Sequence, residues 1–114
     1  MARPQQLGRF GEDAAADWYV ASGYQLLDRN WRCRRGEIDL ICARGDEVVF
    51  SEVKTRSSAR YGSGFEAVNW KKQQTIRAVA AEWLQHSSRH YSDLRFDVVD
   101  VDANGHLRVA EGCF

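Results

Sequence analysis

The chain has 114 residues, of which 44% are hydrophobic and 28% charged, the balance of one ordinary globular domain. Sixteen Lys and Arg offset sixteen Asp and Glu, so overall charge points to no polyanionic partner. The composition excludes collagen, low-complexity disorder and disulfide-stapled mini-proteins. Apolar runs of only a few residues, such as Val48-Val49-Phe50, exclude a bilayer-spanning helix.

From Leu7 to Ser22 the apolar residues Leu7, Phe10, Ala14, Ala15, Trp18 and Tyr19 recur with the helix period, and Gly23 is placed to end that helix. The stretch 24–31 reads as a first strand and 36–43 as a second. Strict alternation along the second puts Ile38, Leu40 and Cys42 on one face and Glu37, Asp39 and Ile41 on the other. Arg44-Gly45-Asp46 makes a turn into a third strand over 47–54. Residues 55–64 (TRSSARYGSG) carry no periodicity and read as a functional loop. A second helix follows, starting at Phe65 or Asn69 and ending at His86, with Ile76, Val79, Ala80, Trp83 and Leu84 as its buried stripe. Trp18, Trp70 and Trp83 are expected in the core. A fourth strand over 94–101, an Asn104-Gly105 turn and a short fifth strand over 107–110 complete the order αβββαββ. One mixed sheet flanked by helices, in a single α/β domain spanning residues 1–114, is the expected architecture.

Charge is patterned locally. Residues 1–90 hold 14 bases and 11 acids, while 91–114 hold 2 and 5. Thirteen of the bases are Arg, whose fork matches phosphate. Four of them, Arg29, Arg32, Arg34 and Arg35, form one run, which can be a phosphate contact or a solvated strand end. Cys33, Cys42 and Cys113 form no CxxC and sit far in sequence from His86, His90 and His106, so free thiols are expected rather than zinc. No signal-like apolar stretch follows Met1, which points to the cytoplasm.

Four polar residues interrupt apolar elements: Glu12 on the first helix, Asp39 inside the second strand, and Glu52 and Lys54 at the end of the third. Such charges are costly unless paired or metal-bound. Asp39 and Glu52 come from adjacent strands, and two carboxylates are hard ligands that suit Mg²⁺ or Mn²⁺. Lys54 is placed to orient a water or stabilise developing charge. Singly, each residue has a plainer explanation: a surface Glu52–Lys54 pair, an exposed Asp39, a Glu12 that complements the helix dipole. Gln73 continues the buried stripe of the second helix and is either a helix-start residue or a site residue.

The run Gly36-Glu37-Ile38-Asp39-Leu40-Ile41, followed by Ser51-Glu52-Val53-Lys54-Thr55-Arg56, resembles the PD-(D/E)XK nuclease signature. With Gly11-Glu12-Asp13-Ala14-Ala15, Arg29-Asn30-Trp31-Arg32-Cys33-Arg34, Tyr61-Gly62, Lys71-Lys72 and Phe96-Asp97-Val98-Val99, nearly the whole chain resembles the bacterial YraN-like family of predicted endonucleases. That resemblance implies a restriction-endonuclease-like fold, similar to the dimeric archaeal Holliday-junction resolvases. It implies Glu12, Asp39 and Glu52 as metal-site acids for Mg²⁺ or Mn²⁺, Lys54 as the signature lysine and Gln73 as an assisting residue. Ile38 stands where the signature has proline. Ser51 stands where an apolar residue usually precedes the acid, and is expected to loosen packing behind the site. The expected activity is hydrolysis of DNA, including branched DNA, by a homodimer without membrane association. Arg29, Arg32, Arg34, Arg35, Arg56, Lys71 and Lys72 would meet the backbone, and the acidic segment Asp97, Asp100, Asp102 and Glu111 would face away from it. The alternative is a non-catalytic nucleic-acid-binding or assembly protein that keeps the fold.

Overall fold

A computed structural model describes residues 4–56 and 68–114. The elements are α1 (Pro4–Ala21), β1 (Gln25–Cys33), β2 (Gly36–Arg44), β3 (Glu47–Thr55), α2 (Trp70–His86), β4 (Asp93–Val101) and β5 (Leu107–Ala110). The expected order αβββαββ is therefore present among the described residues. The loop expected over 55–64 lies outside them beyond Arg56, as does the alternative helix start at Phe65. Asn69 caps α2, its side chain accepting from the Lys72 amide at 2.8 Å.

The strands form one sheet in the order β1-β2-β3-β4-β5. All neighbours are antiparallel except β3 and β4, which are parallel, so the chain must cross over between them and α2 lies on that crossover. The helices cover opposite faces. Ala15, Ala16 and Tyr19 of α1 pack on Leu40, Cys42, Val49, Val99 and Val101. Ile76, Val79, Ala80 and Trp83 of α2 pack on Ile41, Val48, Phe50, Phe96 and Val98.

Ile38 breaks the expected alternation. It is buried in the α2-side cluster with Ile41 and Ala43, three residues from Ile41, whereas Leu40 and Cys42 lie on the α1 side. Strict alternation cannot place Ile38 and Ile41 on one face, so the faces exchange across Asp39 and Leu40. The grouping of Ile38 with Leu40 and Cys42 is corrected accordingly.

The α1 face holds a buried polar network. Tyr19 donates its hydroxyl to Asp97 Oδ2 at 2.7 Å, and Ser51 Oγ lies 3.0 Å from that hydroxyl. Arg95 grips both oxygens of Asp97 at 2.9 Å, and the Gly112 amide donates to Oδ1 at 3.0 Å. Ser51 thus joins a satisfied network instead of loosening the packing. The network also corrects the picture of an acidic outer segment: Asp97 and Asp100 are buried, the first bound as described and the second paired with Arg56 at 3.1 Å. Trp70 is corrected too. Trp83 is buried and Trp18 packs at the core margin, but Trp70 is 73% exposed.

Gly11 is where α1 meets the end of β3. A Cβ there would stand 1.8 Å from Thr55 Oγ1, so only glycine allows this approach. Gly11→Ala must push α1 off the strand end and is expected to destabilise the fold by about 1–3 kcal/mol in urea titration. Wild-type stability of the variant would show that α1 does not dock this closely.

Candidate metal and catalytic site

The site is built where two ladders part. β2 and β3 pair from Arg44–Glu47 up to Leu40–Ser51 and no further. Below that point β2 stays with β1, through Ile38–Trp31 to Gly36–Cys33, while β3 stays with β4 through Thr55–Val101. The result is a fork with one prong from each strand. The Val53 amide has no β2 partner there, and Asp39 Oδ2 accepts its hydrogen bond at 2.8 Å.

Glu52 sits on the opposite prong with its side chain only 7% exposed. Its Oε1 lies 3.6 Å from Lys54 Nζ and 3.4 Å from Lys72 Nζ of α2. Burial pushes the Asp39 carboxyl up to about 7, and the charge of Glu52 adds to the shift. The Val53 hydrogen bond opposes it, and Glu12 and Glu37 add smaller repulsions. A buried Glu52 repelling a half-buried Asp39 is an arrangement that added positive charge would relieve.

Glu12 approaches from α1. Its Oε1 accepts from Asn30 Nδ2 at 3.0 Å and lies 3.7 Å from Arg29 Nη2. The fork therefore gathers Asp39, Glu52 and Lys54, with Glu12 at its margin, and adds Lys72, which the sequence placed only among the backbone-contacting bases. Gln73 lies in the first turn of α2, where its Nε2 donates to the Val68 carbonyl at 3.1 Å. Asn30, which the sequence offered only as part of the Arg29–Arg34 stretch, joins the site. It has φ +50° inside a strand and fixes Glu12. An asparagine within a strand, a type disfavoured there but tolerant of positive φ, was the available signal.

Several of the expected DNA-contacting bases have acidic partners within the chain. Arg29 bonds Asp13 at 2.8 Å, Arg32 pairs with Glu37, Arg56 with Asp100 and Lys72 with Glu52. Arg34, Arg35 and Lys71 make no ion pair among the described residues.

Among the described residues no three His, Cys, Asp or Glu side chains stand together as a ready metal cage. The donor chemistry nevertheless fits a small hard cation. Mg²⁺ is commonly held by one or two carboxylates, its other positions filled by water and substrate phosphate. Asp39 and Glu52 supply that number from the two prongs. Cys42 offers nothing here, since burial pushes its thiol up to about 12, and all three cysteines are free. No helix among the described residues is long and apolar enough to cross a membrane.

Fold and site together define a small α/β protein with a five-stranded mixed sheet and a carboxylate–lysine fork at one end. Residues 11–101 match the profile of the Uncharacterised protein family UPF0102. The chain is 54% identical over 101 residues to a UPF0102 protein of Rhodococcus opacus, covering 89% of this chain and 86% of that one. It is 50% identical over 111 residues to a UPF0102 protein of Frankia casuarinae, covering 96% and 94%. A UPF0102 protein of Caldicellulosiruptor bescii is 44% identical over 108 residues, covering 94% and 91%. The chain belongs to UPF0102.

The Asp39 shift sets the pH dependence of the metal-free protein. Its folded value of about 7 lies above its ordinary 3.8, so between those limits the folded state holds a proton that the unfolded state has lost. Stability contributed by Asp39 falls as pH rises through this window. Asp39→Asn is expected to match wild type near pH 4 and to exceed it near pH 8, by on the order of a few kcal/mol. Melting curves in EDTA at both pH values check this, and a gap that does not widen with pH would remove the burial argument.

Proposed function

We propose that this chain is a metal-dependent endonuclease of DNA with a restriction-endonuclease-like fold, as its resemblance to the YraN-like family implies. The observation that carries the reading is the fork. Asp39 and Glu52 come from the two prongs, near enough that the charge of Glu52 raises the Asp39 carboxyl, and Lys54 follows Glu52 on the same prong. A nuclease needs this combination: negative oxygen donors for a cation, and a nearby ammonium for charge that develops on the phosphate.

Asp39 and Glu52 would hold Mg²⁺ or Mn²⁺, which when bound would polarise a phosphate oxygen and acidify a coordinated water. The chain's own groups do the rest. The Val53 amide fixes the Asp39 carboxylate, and its acceptor role is compatible with metal ligation through the other oxygen. Lys54, with its side chain 32% exposed, can reach the phosphate while remaining tethered by Glu52. Lys72 brings a second positive charge from α2 to the same carboxylate. Asn30 and Arg29 hold Glu12 at the margin, where it would position the site from α1.

One observation favours a non-catalytic nucleic-acid-binding or assembly role instead: Glu52 already has two lysine partners. The two readings separate experimentally. For the enzyme, Mn²⁺ binds measurably in calorimetry, and the double variant Asp39→Asn with Glu52→Gln loses that binding while staying folded. Lys54→Ala is expected to slow cleavage of linear, flapped or four-way-branched DNA by about 100-fold or more, with DNA affinity little changed. Wild-type metal binding in the double variant, or a wild-type rate in Lys54→Ala, would defeat the assignment.

One fork serves one strand, whereas duplex and branched DNA offer two to cut. A homodimer would place two forks at a fixed separation. Light scattering at tens of micromolar is expected to give twice the chain mass, and a strict monomer there would remove the dimer.

A further inference from the structure

Trp70 is the most exposed of the large hydrophobic side chains among the described residues, yet it begins a well-capped helix. A buried role does not account for it. Beside it, Trp70, Lys71, Gln74, Thr75 and Ala78 of α2 and Arg35 from the β1–β2 turn line a shallow hollow. The turn is held against the helix by close packing, since a Cβ on Gly36 would lie 3.0 Å from Thr75 Cγ2 and 3.4 Å from Val79 Cγ2. Thus Arg35 and Trp70 border the same hollow.

The hollow has a definite chemistry. Its two charged residues are Arg35 and Lys71, both cationic and without an ion-pair partner among the described residues. Among the described residues no acid lines it; the nearest along the helix, Glu82, lines the adjoining hollow with Arg35. An exposed indole bordering the same hollow as two cations fits a base stacked on the ring with its phosphates met by those cations. A base inside a duplex has no free face, so the fit is to an unpaired nucleotide. The position is also informative: two residues along α2, Lys72 bonds Glu52 of the fork at 3.4 Å.

We propose that Trp70, flanked by Arg35 and Lys71, is a stacking platform for an unpaired DNA base, and that it directs the chain to DNA with a single-stranded flap or open junction over intact duplex. This rests on the nuclease reading for the choice of DNA, and it adds the substrate class. Trp70 selects substrate and takes no part in bond cleavage.

The test measures binding apart from cleavage. Labelled oligonucleotides, one blunt duplex and one with a single-stranded flap, are titrated by fluorescence anisotropy in EDTA. Wild type is expected to favour the flapped DNA. Trp70→Ala is expected to lose about tenfold in affinity for the flap and little for blunt duplex, whereas Trp70→Phe, which keeps an aromatic face, retains most of the preference. Lys71→Gln is expected to lower the salt dependence of flap binding by about one contact. Equal flap affinity in wild type and Trp70→Ala, or no flap binding by wild type, overturns the platform. Flap preference that depends on Trp70 but comes with no cleavage in Mg²⁺ or Mn²⁺ upholds the platform and defeats the nuclease reading. Cleavage with no role for Trp70 does the reverse.

Discussion

The β2–β3 ladder stops at Leu40–Ser51 while each strand continues with its other neighbour, and this leaves the Val53 amide inside the gap without a backbone acceptor. A buried amide without a partner is costly. Asp39 supplies the missing acceptor, and in doing so its carboxylate is drawn between the prongs beside Glu52. The exchange of faces between Ile38 and Ile41 belongs to the same event, because it frees Asp39 from the position that plain alternation would give it. Around the gap, the two helices then contribute in opposite senses. α1, allowed in by Gly11, brings acid; α2, capped by Asn69, brings Lys72.

The elements were legible because each has a strong local signature: helix-period apolar residues in α1 and α2, Val- and Phe-rich β3 and β4, glycine at the turns. The candidate residues were legible for a different reason. Asp39, Glu52 and Lys54 are charges embedded in apolar strands, where a solvated residue would be out of place. What escaped was nonlocal. Nothing in residues 36–44 announces that a ladder will end at Leu40, since that depends on two strands choosing different partners. Ser51 looked like a packing defect because its partner, Tyr19, lies 32 residues away. The partner of Arg29 was also hidden, because sequence spacing does not bring Asp13 of the first helix beside it. Trp70 was misjudged from residue type alone, where its position at a helix start beside two lysines argued for exposure.

The two ends of the chain's charge distribution behave differently once folded. The carboxylate at Asp97 is fully satisfied by Tyr19, Arg95 and the Gly112 amide, with both oxygens engaged, and acts as a fixed internal tie between α1, β4 and the C-terminal turn. Among the described residues Asp39 receives one hydrogen bond, and the charges of Glu52, Glu12 and Glu37 act against its own. The buried Asp97 and the half-buried Asp39 thus differ in whether their charge is neutralised from within, and Asp39 retains a demand for charge from outside.

The outer strands have a bearing on how two copies could meet. β1 and β5 are the margins of the sheet. β5 has four residues, too few to template a long partner strand. β1 has nine, but its register with β2 slips between Leu26 and Asp28, and Asn30 turns to φ +50°. Asp28, Arg29 and Arg32 add charge along the same margin. A bent, short or charged margin resists strand addition. Two subunits would consequently associate by side-chain packing between their surfaces, each retaining its own five strands, and the molecule is shielded at both margins from the open-ended stacking by which flat sheets aggregate.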